Sequence, residues 1–224
     1  MSIFESLPSS GWAVLEPGPA VASDPAAVIE LARRYGTVSE RDGGGAWPIQ
    51  SQVPSGTFSV TNDAAPLHTD AQYRNDPEDA FLLACARSAA QGGDSILLAV
   101  DDLVATLSRR SDWFSLQGLL QAPIWRWRTP EVFDGPRESE PAAILYPRED
   151  GRYSMRWRMD NLVADQSAAW AAEVVHQTAA IDPNLAVLKL RPGQVLVCDN
   201  STVLHGRTAF NDPTRLLWRV RVHR

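Results

Sequence analysis

The sequence predicts an α+β fold made mainly of strands and closed as a double-stranded β-helix, the jelly roll, with helices packed outside it. Three observations carry that expectation. Strand-like runs outnumber helical ones and do not alternate with them as βαβ units would. The stretch Ala65-Pro66-Leu67-His68-Thr69-Asp70, taken as extended, projects His68 and Asp70 from one face, because strand side chains alternate with a period of two. A second histidine, His205, lies 137 residues beyond His68, too far for a local clip. A jelly roll brings early and late strands to one mouth.

The 224 residues fit a single domain, 1–224, long enough for a sizeable core. With 44% hydrophobic and 21% charged residues the chain is of ordinary globular composition. A net charge of −6 argues against a nucleic-acid partner, because phosphate binding relies on a basic surface. A small acidic ligand stays open. Lys189 is the only lysine, so the arginine bias is read as compositional and only arginine positions carry information. Cys85 and Cys198 sit in apolar runs and read as buried free thiols, which suits a reducing cytoplasm. The first eight residues lack the pattern of a signal peptide, and no run approaches the roughly 18 apolar residues of a membrane span. A cytoplasmic protein with no membrane partner is expected; the oligomeric state is not legible.

Residues 11–15 read as a first strand closed by Glu16-Pro17-Gly18-Pro19. Ser23 or Asp24 caps a helix with Pro25 at its first position and Val28, Leu31, Ala32 and Tyr35 at helical spacing. Residues 39–56, with Gly43-Gly44-Gly45, read as a mobile loop placed to act as a lid. Further strands are expected at 57–60, 81–86, 95–100, 122–128, 142–146, 153–158, 186–190, 194–198 and 215–222. Helices are expected from 101, over 113–120 and over 165–181, the last with Trp170, Val174 and Ile181 on one stripe. His176 on that helix lacks a partner at ligand spacing and reads as structural or solvated. His205 emerges after a buried strand and a short polar connection.

His68, Asp70 and His205 make a two-histidine, one-carboxylate set, which caps one face of a non-heme iron and leaves positions open. Around that set the chain resembles the Fe(II)/2-oxoglutarate-dependent oxygenases of the taurine dioxygenase and clavaminate synthase-like group. The matching pieces are Leu67-His68-Thr69-Asp70, Gly92-Gly93-Asp94-Ser95, Asp199-Asn200, Leu204-His205-Gly206-Arg207-Thr208, and Arg215 with Arg219, within 57–224, about three quarters of the chain. The resemblance implies iron ligation by His68, Asp70 and His205. It implies that Arg215 and Ser95 hold the distal carboxylate of the cosubstrate 2-oxoglutarate, with Arg219 near its chelating end or near substrate. A planar guanidinium suits a carboxylate because it binds it bidentately.

The activity so implied is O2-dependent hydroxylation of a small molecule such as an amino acid or a derivative of one, with release of succinate and CO2. Relatives bind amino acids with the strand region that holds Arg156, Arg158 and Asp160 here; Gln72 and Tyr73, just past Asp70, are further candidates to line the pocket. Two segments, Trp125-Arg126-Trp127-Arg128 and Arg156-Trp157-Arg158, alternate arginine with tryptophan, and which set faces inward is left open by the sequence. A cupin-type metal-dependent hydrolase or isomerase without 2-oxoglutarate would use the same triad but has no need of the carboxylate pocket of Arg215 and Ser95. A non-catalytic ligand-binding jelly roll is the other alternative, and the intact triad counts against it.

Overall fold

The computed structural model describes residues 7–51, 58–131 and 137–224, and within them period-two alternation builds two facing sheets. In chain order the elements are β1 (Trp12–Leu15), α1 (Pro19–Ala22), α2 (Pro25–Ala32), β2 (Thr37–Val38), a 3-10 turn (Glu40–Asp42), β3 (Trp47–Ile49), β4 (Ala65–His68), β5 (Ala80–Arg87) and β6 (Ser95–Ala99). Then follow α3 (Val100–Leu107), α4 (Trp113–Gln121), β7 (Arg126–Trp127), β8 (Leu145–Pro147), β9 (Tyr153–Met155), β10 (Leu162–Val163) and α5 (Ala169–Ala180). The chain ends in β11 (Ala186–Leu188), β12 (Val195–Asp199), β13 (Val203–Arg207) and β14 (Leu216–His223). The larger sheet runs β1-β12-β5-β14-β2 with β3 also on β14, and the smaller runs β11-β6-β13-β4. Their strands pair antiparallel throughout.

Each central strand divides its side chains between two environments. On β14, Val220 and Val222 pack outward with Val28 and Ala32 of α2, while Leu217 joins Phe81, Cys85, Leu196 and Cys198 between the sheets. The arginines of β14 share the parity of Leu217, and so point inward. Outside the smaller sheet a third cluster joins Leu98 and Leu204 to α3, α4 and α5 and takes in Trp125, Trp127 and Trp157, all fully buried. Asp24 caps α2 by accepting from the Ala26 N–H, with Pro25 at the first turn, as expected.

The structure corrects several expectations. Residues 58–60 form a turn rather than a strand, and Thr57 lies outside the described residues. The 39–56 segment is not a free loop over its described part: the 3-10 turn and β3 lie within it, and β3 pairs with β14. The strands expected over 122–128 and 153–158 contract to β7 and β9, and the one over 142–146 becomes β8. Trp170 and Ile181 are exposed, because α5 buries its small residues Ala171, Ala172, Val175 and Ala179 instead. His205 does follow a buried strand, β12, and a short polar connection, and there it lies within a further strand, β13.

Candidate metal centre

His68 is the last residue of β4, and the antiparallel register sets it directly across from His205 on β13. Their ring centroids are 4.4 Å apart. His68 Nδ1 donates to the Pro66 carbonyl at 2.8 Å, which fixes the ring and leaves the Nε2 lone pair for a ligand. Asp70 follows where β4 ends, and the chain turns away at Ala71, whose φ of 59° is the only positive value at a non-glycine among the described residues. The Asn200 side chain holds this turn from the β12–β13 connection. Its Oδ1 accepts from the Asp70 N–H at 2.7 Å, and its Nδ2 donates to the carbonyls of Asp70 at 3.0 Å and Glu78 at 2.8 Å.

Asp70 Oδ1 lies 3.7 Å from His68 Nε2 and 3.9 Å from His205 Nε2. One ligand-type atom from each residue falls within 4.8 Å of the others, the only such cluster among the described residues. Burial alone would raise the Asp70 carboxyl, but the guanidiniums of Arg219 and Arg221 hold it well below the usual carboxylate range. Burial and the field of His68 push His205 down to about 3, so its imidazole is neutral at pH 7. Asp70 and His205 therefore present an anion and a neutral nitrogen, the forms that ligate metals.

Behind the histidines a cavity is lined by Ser95, Arg207, Arg215 and Arg219 together with His68 and His205. Ser95 opens β6, buried and paired in register with Arg207 of β13. Arg215 is 2% exposed. Its Nη2 donates to the Gly93 carbonyl at 3.1 Å and its guanidinium lies over the Phe210 ring. Its Nη1 is buried with no hydrogen-bond partner among the described residues. Gly93 is glycine for a reason: φ is +68°, and a Cβ would stand 2.6 Å from Arg215 Nε.

A second recess, on the other side of the triad, is lined by Tyr73, Arg158, Arg219 and Arg221 with His68 and Asp70. Asp160 holds Arg158 bidentately at 2.7 and 2.8 Å, and the Arg158 guanidinium covers Phe58. Tyr73 accepts from Arg41 Nη2 at 2.8 Å. Arg156 and Gln72 are not brought to this recess. Arg156 Nη2 donates to the Gln72 carbonyl at 2.6 Å and to that of Arg74, and Gln72 Nε2 donates to Asn161, both beside a separate hollow. The expected pairing of Arg156 with Arg158 on one face fails because β9 stops at Met155 and residues 156–158 are not in a strand. Trp157 fills the outer core, its backbone N–H donating to Thr69 Oγ1 at 2.9 Å. Arg221 was missed by the sequence reading, although it shares the parity of Arg219 on β14 and that parity was signal enough.

A jelly roll whose mouth gathers two imidazoles and a carboxylate, with a guanidinium buried behind them, is the architecture of the Fe(II)/2-oxoglutarate-dependent oxygenase class. Within that class, the family described as taurine catabolism dioxygenase TauD, TfdA matches residues 5–221, and the chain belongs to it. Trimethyllysine dioxygenase of Rattus norvegicus is 28% identical over 197 residues, covering 81% of this chain and 45% of that protein. L-asparagine oxygenase of Streptomyces coelicolor is 28% identical over 147 residues, covering 64% of this chain and 42% of its own length. The chain thus spans less than half the length of these curated relatives. Among solved structures, asparagine oxygenase in complex with Fe(II), (2S,3S)-3-hydroxyasparagine and succinate superposes with a TM-score of 0.73 at 21% identity, over 96% of this chain and 74% of that one. The non-heme iron oxygenase OrfP with iron and α-ketoglutaric acid gives 0.70 at 17% identity, over 95% and 74%. No helix among the described residues is long and apolar enough to cross a membrane.

Proposed function

We propose that the chain is a cytoplasmic, single-domain Fe(II)- and 2-oxoglutarate-dependent oxygenase that hydroxylates a small amino-acid-like substrate. His68, Asp70 and His205 would hold the iron, and the donor set suits it: two imidazole nitrogens and one carboxylate with positions left over. Bound there, iron with 2-oxoglutarate and O2 supplies the oxidation of a C–H bond coupled to release of succinate and CO2. The chain's own residues bind and orient. Arg215 with Ser95 receives the distal carboxylate, Arg219 borders both cavities, and Tyr73 and Arg158 border the side left for substrate, with Asp160 reaching it through its hold on Arg158. The relatives named for asparagine and trimethyllysine point to an amino acid there.

The observation that carries this reading is the buried Nη1 of Arg215, without a hydrogen-bond partner among the described residues, on a guanidinium that lines the cavity shared with His68 and His205. A hydrolase built on the same triad has no use for a desolvated cation at that place, whereas a dicarboxylate does. Anaerobic titration of the Fe(II)-loaded protein with 2-oxoglutarate tests it. A visible charge-transfer band is expected, with affinity at least tenfold weaker in Arg215→Ala. Absence of the band in the unmutated protein, or equal affinity in the variant, would sink the assignment. Succinate release across a panel of amino acids then identifies the substrate.

A further inference from the structure

The two oxygens of Asp70 have separate surroundings. Oδ1 is the atom near both histidine Nε2 atoms, at 3.7 and 3.9 Å. Oδ2 is taken by Arg221 Nε at 3.0 Å and Arg219 Nη1 at 3.3 Å. The two arginines are differently placed. Arg219 borders both cavities, with a side chain 16% exposed, whereas the Arg221 side chain is 3% exposed and its contact uses Nε, the nitrogen nearest the stem. Arg221 is fixed at its backbone as well, its carbonyl accepting from the Ser39 N–H at 2.9 Å. The Asp70 main chain is held from the other side by Asn200.

We propose that Arg221 is a positioning residue that makes Asp70 a one-oxygen ligand. A carboxylate free to rotate about its last bond can offer either oxygen or both. With Oδ2 held by a rigid Nε–H and the backbone held by Asn200, only Oδ1 is presented. That matters for a centre that must keep open positions for a bidentate cosubstrate and O2, since a second Asp70 oxygen would occupy one. Arg219, reaching toward both cavities, is left to meet cosubstrate or substrate, and Arg221 carries the constant part of the clamp.

This inference rests on the metal reading above, and its test separates the two. Fe(II) affinity is measured anaerobically by competition with a chromophoric chelator for the unmutated protein, Arg221→Lys, Arg221→Met and His205→Ala, and the visible band with 2-oxoglutarate is recorded at saturating iron. Lysine keeps the charge and loses the rigid Nε–H, so Arg221→Lys is the deciding variant and stands alone if Arg221→Met does not fold. The expected result is about tenfold weaker iron binding and a shifted band in Arg221→Lys, with ten- to hundredfold weaker binding in Arg221→Met. Iron affinity within twofold of the unmutated protein and an unshifted band in Arg221→Lys would overturn the positioning role. An unmutated protein that binds no Fe(II), or a His205→Ala variant that binds it equally well, would overturn the metal reading beneath it instead.

Discussion

Arg207 and Arg215 show how two buried arginines of one cavity come to different duties. Both guanidiniums lie against the Phe210 ring, at 4.9 and 4.7 Å, and burial pushes both down to about 10, so both remain cations at pH 7. Arg207 uses both terminal nitrogens, although its Nε finds no partner among the described residues: Nη1 donates to the Phe58 carbonyl and Nη2 to those of Thr61 and Asp63, which braces the segment leading into β4. Among the described residues the Arg215 guanidinium has the Gly93 carbonyl as its one hydrogen-bond partner, and Asp94, a carboxylate that acts on it, is paired with Lys189 at 3.3 Å. Opposite stability effects follow from the same substitution. Arg207→Met strands three carbonyls and should lower stability by about 3 kcal/mol. Arg215→Met removes a desolvated, half-satisfied cation and should raise the stability of the ligand-free protein by about 1 kcal/mol, while abolishing stabilisation by 2-oxoglutarate. Thermal unfolding with and without 2-oxoglutarate and metal checks both, at roughly 2–4 °C per kcal/mol for a chain of this size. Equal losses in the two variants would contradict the assignment of Arg215 as the cosubstrate cation.

At the scale of the element, β14 supplies Arg219 and Arg221, and the Gly92-Gly93 turn is built around Arg215, the residue just before that strand. The Gly92-Gly93 pair has φ of +66° and +68°; a Cβ on Gly92 would stand 1.9 Å from the Ala209 carbonyl, and one on Gly93 would strike the Arg215 side chain. Gly93→Ala should therefore cost about 1–2 kcal/mol from the positive φ and weaken 2-oxoglutarate binding roughly tenfold by displacing Arg215. Calorimetric titration of the metal-loaded variant measures the second effect. A variant destabilised yet binding normally would show that Arg215 relaxes without loss. Strands β5 and β12 were legible as continuous apolar runs buried on both faces, between a core and a helix layer. β2 and β3, of two and three residues, are strands only because β14 offers them an edge, and no local pattern encodes that. β13 was obscured by the polar connection before it, where Asp199 Oδ1 accepts from Ser201 and Thr202. In the site, His68, Asp70, His205 and Arg215 were legible from motif and spacing. The placement of Arg156 and Arg158 was not, because it depends on where β9 ends.

Across the whole molecule, a buried charge network ties the larger sheet to the metal end of the smaller. Glu78, 3% exposed, pairs with Arg41 of the 3-10 turn at 3.1 Å and accepts from Ser39 Oγ at 2.9 Å, while its carbonyl receives Asn200. Arg41 continues to Tyr73 on the rim of the recess. Burial would raise the Glu78 carboxyl, but the guanidiniums of Arg41 and Arg221 outweigh it and hold the group below its ordinary 4.5. A folded-state value below the unfolded one means that the native protein binds this proton less readily than the unfolded chain does. The stabilisation is therefore fully present above about pH 4.5 and is lost as pH falls from there through the lowered value. Glu78→Gln removes the titration and the ion pair together. At pH 7 the variant should be less stable by about 2 kcal/mol, because Arg41 loses its charged partner in a site closed to water. As pH falls below 4.5 the unmutated protein should approach the variant, since its Glu78 becomes as neutral as the glutamine. Urea unfolding of the metal-free proteins between pH 7 and pH 3 measures the gap. A gap that stays constant through that window would mean Glu78 acts through packing and hydrogen bonding alone, and that the charge linking the 3-10 turn to the Asp70 end of the molecule is dispensable.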